Sequence, residues 1–250
     1  MELNNRLYDL FINKAKKVEV EILSLGLGYT AVTTSKGGIG LSYTYFDSKK
    51  SCSLIKNYND YEGRPASELL KNIRNTNTIE RSMALALINA LNYEKALLLP
   101  EDKNNDIMFD AFSIGQGTRV AMVGFFGPFL KIFKERKVCL EIIDISRGLG
   151  QKKDFYEKLG NWAEVLFLTS TSILNNTTEE ILGNVNENIK TIILGPGTPM
   201  VSEAFEGLPV HMLAGTVPVE KERVLKAVRH GMGTPVIHKF SRKSFCIFSA

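Results

Sequence analysis

Two rhythms of apolar and polar positions divide the chain. The opening MELNNRLYDLFINKAKK threads polar and charged residues through its apolar positions, the pattern of an amphipathic helix and not of a signal peptide. VEVEILSLG, residues 18–26, alternates as a half-exposed strand does. YTAVTTSKGGIGLSYTYF is β-rich on both sides of Lys36, Gly37 and Gly38, where glycines tolerate the positive φ of a hairpin turn. Helices follow, one after Pro65 and one over about 78–92. In the second, Asn77 or Thr78 caps, Glu80 lies in the first turn, and Ile79, Met83, Leu87 and Ala90 mark an apolar face. A meander followed by helices is an α+β unit.

Residues 93–109 change style, with a polar Pro-Glu-Asp-Lys-Asn-Asn-Asp run fitting a linker or exposed loop, so a boundary is expected near 105. The domains expected are therefore 1–105 and 106–250. Beyond it strand-like and helix-like segments alternate, with strands expected near 119–123, 138–143, 164–168, 191–194, 209–213 and 235–240, the signature of a parallel sheet covered by helices. The fold class expected is α/β, an α+β domain followed by a parallel-sheet domain.

In such a sheet, ligands bind at the carboxyl ends of the strands. The loops there would be Gly124-Phe125-Phe126-Gly127-Pro128, Asp144, TSTSILNNTTEE, GPGTPM and AGTVP. The first departs from the Gly-x-Gly-x-x-Gly dinucleotide fingerprint: Phe126 stands where a glycine would admit the pyrophosphate, and Pro128 removes an amide donor. Asp144 lies about 20 residues after Gly124, the interval at which such folds place an acid on ribose hydroxyls. A nucleoside or other ring-bearing ligand suits this loop better than a dinucleotide; equally, Phe125 and Phe126 could cap the core and Asp144 a turn. Thr177 with Glu180 reads as a capping box. Thr169, Ser170, Thr171, Ser172 and Asn175 present polar groups at a strand end, either to a ligand or to their own backbone. In LGPGTPM, Thr198 reads as a cap and Pro199 as the first helical turn, after Gly195, Pro196 and Gly197.

VGFFGP, TSTSILNNTTEEIL, LGPGTPM and the closing LAGT and GMGT occur together in an order that resembles the putative heavy-metal chelation family. The resemblance covers most of the second half. In the first half it rests on the glycine-rich hairpin and ERSMALALINALN. It implies an enolase N-terminal-like domain followed by a Rossmann-like domain with partial similarity to methyltransferases, and a site between them. It also implies action on pterin-, flavin- or siderophore-like molecules, with no defined reaction. Carried over, the site falls on Gly124, Phe125, Phe126, Gly127 and Pro128, on Asp144, on Thr171, Ser172 and Asn175, and on Gly195, Pro196, Thr198 and Pro199. The hairpin from Lys36 to Gly40 and the helix from Glu80 to Asn89 would close the pocket.

Composition narrows the remaining classes. With 250 residues, 44% hydrophobic and 23% charged, the chain is an ordinary globular one, and no apolar run reaches the roughly 18 residues of a membrane span. A cytoplasmic location is the default. A net charge of +4 from scattered lysines and arginines gives no basic stripe for nucleic acid. Cys52, Cys139 and Cys246 are distant and odd in number, reading as free thiols. Neither these nor the three histidines, His211, His230 and His238, are spaced as metal ligands, so no metal site is expected in the polypeptide; the cofactor and the oligomeric state are left open.

Two functions are weighed. One is an enzyme condensing or hydrolysing a small, partly aromatic metabolite between the domains, with Asp144, Glu80 or Lys36 as acid, base or electrostatic group. The other is a non-catalytic protein binding a small molecule or metallophore. An S-adenosylmethionine-dependent methyltransferase is a further alternative, for which Asp144 suits a ribose.

Overall fold

The computed structural model describes residues 2–46, 55 and 58–248; Cys52 lies outside them. The first half runs α1 (Glu2–Ala15), β1 (Val20–Leu25), β2 (Tyr29–Thr34), β3 (Ile39–Tyr43), α2 (Ala66–Leu70), α3 (Thr78–Leu91) and α4 (Tyr93–Leu97). The second runs α5 (Asp106–Ala111), β4 (Arg119–Val123), α6 (Gly127–Glu135), β5 (Cys139–Ile143), α7 (Lys152–Asn161), β6 (Val165–Thr169), α8 (Thr171–Leu174), α9 (Thr178–Leu182), β7 (Lys190–Leu194), β8 (Met212–Pro218), α10 (Lys221–Arg229), α11 (Thr234–Ile237) and β9 (Ser241–Ile247).

β1, β2 and β3 form an antiparallel sheet, turning through Gly37 at φ +77°. Its faces are set by the period of two. Val32, opposite Gly40, lies on the side covered by α3, and a Cβ on Gly40 would sit 2.2 Å from Ala86 O, so the helix rests directly on the strand backbone. Tyr29, Ala31, Ile39 and Leu41 lie on the other side and pack with Val224, Leu225, Ala227, Val228 and Ile237 of α10 and α11. The second half thus lends two helices to the first. Asn77 caps α3 as expected, its Oδ1 accepting from the N–H groups of Ile79 and Glu80. The stretch read as a linker carries α4 and α5.

The larger sheet has the order β5-β4-β6-β7-β8-β9, with β9 antiparallel and the others parallel. Counted within this sheet the order is 2-1-3-4-5-6, not the 3-2-1-4-5-6 of dinucleotide-binding folds, and connections diverge between β4 and β6. On one face, Met108, Phe109, Phe129 and Phe133 of α5 and α6 cover Val120, Met122 and Phe167. On the other, Ala121, Leu166, Leu168 and Ile193 join Phe155 and Leu159 of α7 in a core that continues through Leu3, Leu7, Ala84 and Leu87 of α1 and α3. Apolar burial therefore runs unbroken across residue 105.

Two strand expectations are corrected. Residues 235–240 are not a strand: α11 and a 3₁₀ turn, His238–Phe240, occupy them, and the strand follows as β9. Pro235 has no N–H for a ladder but suits a helix start, and Ile237 is buried against α10. Ala214–Pro218 is strand and not loop, because β8 pairs with β9 from Met212 to Pro218.

Candidate functional site

The loops that follow β6 and β7 meet α3 and the end of β3 in the first half, and the loop after β4 lies beside them. Gly124, at φ +90°, ends β4 against Thr169, where a Cβ would lie 3.0 Å from that of the threonine. The next two rings part company. Phe126 turns inward, 6.0 Å from Phe129 and edge-on to it, and packs half-buried against the core. Phe125 turns outward with 36% of its surface exposed, and the guanidinium of Arg147 lies 4.6 Å over its ring centroid. Gly127 and Pro128 open α6, whose start has no side-chain cap.

Asp144 ends β5 as the cap of a 3₁₀ turn, Ile145–Arg147. Its Oδ1 accepts from Ser146 Oγ at 2.6 Å and Arg147 N at 3.2 Å, and Arg147 Nε stands 3.8 Å from Oδ2. The carboxylate is engaged by its own turn.

After β6 the polar side chains pair among themselves. Thr171 Oγ1 is 3.0 Å from Thr169 Oγ1, and Ser172 Oγ is 2.7 Å from Thr178 Oγ1 in full burial. Asn175 Oδ1 accepts from Thr177 N at 3.2 Å and Thr177 Oγ1 at 2.7 Å, across Asn176 at φ +59°, while Asn175 Nδ2 reaches 3.5 Å toward Tyr45 Oη. The expected capping box is therefore not formed. Thr177 turns its hydroxyl back to Asn175, and Glu180 is drawn to α7, accepting from Lys152 Nζ at 2.5 Å and Tyr156 Oη at 3.2 Å. Burial, with the neighbouring Glu180 carboxylate, pushes the Tyr156 phenol up to about 12.

The helix expected at Thr198 and Pro199 is absent as well. Gly195 to Thr198 is a turn in which Thr198 N and Oγ1 both donate to Gly195 O, at 3.0 and 2.8 Å. No helix follows before a 3₁₀ turn at Ser202–Phe205. The carbonyls that would start one are taken by α3: Asn89 Nδ2 donates to Gly197 O at 3.1 Å and to Leu41 O at 2.7 Å, and buried Asn92 donates to Met200 O at 2.7 Å. Gly197 presses on β3, where a Cβ would sit 2.9 Å from Ser42 Cα.

These contacts gather the Gly124–Pro128 turn, Thr171, Asn175 and the Gly195–Pro199 loop around one strand-end region. They do not bring in both Lys36 and Glu80. Gly38 of the hairpin abuts Ala90, whereas Glu80 sits at the other end of α3, bonded to Asn75; ten helical residues separate these points by roughly 15 Å. Residues the sequence reading passed over take their place. Tyr43 and Tyr45 leave β3 beside Gly197 and Asn175, with ring centroids 6.4 Å apart, and Tyr43 also packs edge-on to Tyr29 at 6.0 Å. Tyr29 Oη in turn lies 2.5 Å from Thr234 Oγ1. The signal was the period of two in YTYF at the end of a strand.

The region offers aromatic faces, hydroxyls and amides, with a guanidinium at its rim. His211 and His238 are occupied elsewhere. His211 Nδ1 accepts from Thr191 N at 3.1 Å near the opposite, amino end of the sheet, and burial, then Lys190, lowers its pKa. His238 Nε2 is 3.1 Å from Thr216 Oγ1, and burial, then Lys243, lowers it to about 4. Among the described residues no three His, Cys, Asp or Glu side chains are grouped to hold a metal ion, and no helix is long and apolar enough to cross a membrane.

Solved structures share this architecture. A protein of unknown function from Pyrococcus horikoshii superposes with a TM-score of 0.77 at 21% identity, over 99% of this chain and 100% of its own. One from Desulfitobacterium hafniense gives 0.76 at 20%, over 96% and 97%. An uncharacterised protein of Methanocaldococcus jannaschii is 21% identical over 97% of this chain and 95% of its own. Two family models, both described as "Putative heavy-metal chelation", match residues 8–92 and 107–247, the second spanning the loops just described. On the strength of those matches, the chain belongs to the putative heavy-metal chelation family.

Proposed function

We propose that the protein binds a small, planar metabolite of the pterin, flavin or siderophore type at the carboxyl ends of β4, β6 and β7. The observation that carries this reading is the outward Phe125 ring, held under Arg147 where the β4 and β6 connections diverge. An exposed aromatic face with a guanidinium beside it suits a flat ligand bearing oxygen or other electron-rich groups. The first half, up to about residue 105, contributes Tyr43 and Tyr45 to the same region.

The family description raises a metal. The described side chains do not fit one: no cluster of ligating groups is present, and the two tied histidines bond to Thr191 and Thr216. In this reading the metal link runs through a chelating small molecule that the protein binds. Binding is favoured over catalysis because Asp144 is committed to its own turn, and Lys36 and Glu80 stand at opposite ends of α3. The same arrangement gives no specific support to condensation, hydrolysis or methyl transfer.

Native mass spectrometry of the full chain should reveal a retained small molecule. Titration with pterin and 2,3-dihydroxybenzoate should show binding that Phe125→Ala weakens by about tenfold. Zinc, nickel or cobalt alone should bind only weakly. Stoichiometric metal held at submicromolar affinity without any small molecule would overturn the reading, and turnover of a bound compound would replace binding with catalysis.

A further inference from the structure

The guanidinium beside Phe125 is held differently from every other in the chain. Of the ten arginines, nine place a guanidinium nitrogen within 3.5 Å of an oxygen among the described residues, from Arg6 at 2.6 Å to Arg64 at 3.5 Å. Arg147 does not. Its Nε stands 3.8 Å from Asp144 Oδ2, outside hydrogen-bond reach, and its other contact is the Phe125 ring, so the fork of Nη1 and Nη2 makes no hydrogen bond to a described residue.

The backbone beneath that side chain is fixed. Arg147 N donates to Asp144 O at 3.1 Å and to Oδ1 at 3.2 Å, Gly148 ends the turn at φ +66°, and Asp144 and Leu149 exchange both N–H to O bonds at 3.0 Å. The side chain itself is 59% exposed. A cation–π contact and a long ion pair are both weak at such a site, so neither commits the guanidinium. Asp144 competes little for the fork, because Oδ1 already accepts from Ser146 Oγ and Oδ2 faces Nε.

We infer that Arg147 is a specificity-determining residue selecting aromatic acids: the ligand ring packs on Phe125, and a carboxylate carried on that ring takes Nη1 and Nη2. This rests on the reading of the strand-end region as a small-molecule site and names the class of ligand within it. The parallel N–H donors of a guanidinium match the two oxygens of a carboxylate, and such charge-assisted pairs are stronger than the contacts Arg147 makes in the free protein. A ring arriving on the face that the guanidinium covers must displace it. An acid repays that displacement with the new pair; a neutral ring does not, so the same side chain favours one and disfavours the other.

Calorimetric titration of the full chain with 2,3-dihydroxybenzoate and with catechol, the same ring and hydroxyls without the carboxylate, tests the assignment. The native chain should prefer the acid by about tenfold. Arg147→Ala should lose that preference, binding the acid about tenfold more weakly and catechol as well as before or better. Arg147→Lys, which keeps the charge without the fork, should restore only part of it. Equal affinity of the native chain for both compounds, or a preference that survives in Arg147→Ala, would overturn the inference. Equal losses for both compounds in Arg147→Ala would make the arginine a support for the ring and overturn it as well. Each of these results leaves the proposed function standing, whereas a native chain that binds none of pterin, 2,3-dihydroxybenzoate and catechol would remove that function and this inference with it.

Discussion

Two glycine-proline loops leave neighbouring regions of the same parallel sheet and end differently. After β4, Gly124 to Pro128 passes at once into α6, a helix of 9 residues. After β7, Gly195 to Met200 carries a comparable string of glycine, threonine and proline and makes no helix. In the first loop Phe126 packs down on Phe129, Pro128 has no N–H to place, and the carbonyls that follow remain free for helical donors. In the second, Asn89 of α3 and Asn92 at its C-terminal cap take the carbonyls of Gly197 and Met200, and Thr198 closes back on Gly195. Local helix signals decide the conformation only where no distant group competes for the same backbone.

That contrast can be broken by the same substitution at two places. Gly197→Ala should cost about 3 kcal/mol, because the added methyl meets the β3 backbone at Ser42 and neither side can retreat cheaply; urea denaturation would measure it. Asn92→Ala should cost about 2 kcal/mol by leaving the Met200 carbonyl buried without its donor, and amide exchange around residues 197–201 should quicken. Asn175→Ala should cost about 1 kcal/mol in thermal melts, more than Thr177→Ala, since one carboxamide oxygen holds both Thr177 groups. Equal losses at 175 and 177 would mean that the turn is held by something else. Gly127→Ala, at the opening of α6, should change stability by no more than about 0.5 kcal/mol, because the new methyl meets only Phe125 at an ordinary 3.6 Å. A large loss there would erase the distinction between the loops.

The parts of the fold that could be read in sequence were those whose pattern is paid out locally. Alternation marked β1 to β3, and apolar runs marked β4 to β7 to within a residue or so. Asn77 was visible because a cap acts within three residues. Ala214–Pro218 was not, because its glycine and proline suggest a turn until seven residues of β9 lie alongside. Val236 and Ile237 looked like strand because the surface that buries Ile237 is built from β2, β3 and α10. The strand-end loops were found, since glycine and hydroxyl residues cluster there. Their first-half neighbours Tyr43 and Tyr45 were not, and the helix that ends near Asn89 was placed beside them by the family resemblance alone, because Asn89 and Gly197 are separated by 108 positions and only folding joins them. Gly40 carried a hint: a glycine inside a strand often marks the close approach of another backbone.

The packing of α10 and α11 on the three-stranded sheet has a consequence for biosynthesis. The face formed by Tyr29, Ala31, Ile39 and Leu41 receives its cover from residues 224–237, about 180 to 210 positions later in the chain. At ordinary rates of synthesis that interval is roughly 10 to 40 s. Throughout it the nascent sheet has one apolar side without its eventual partner, open to a chaperone or to a transient cover until residues 224–237 emerge from the ribosome.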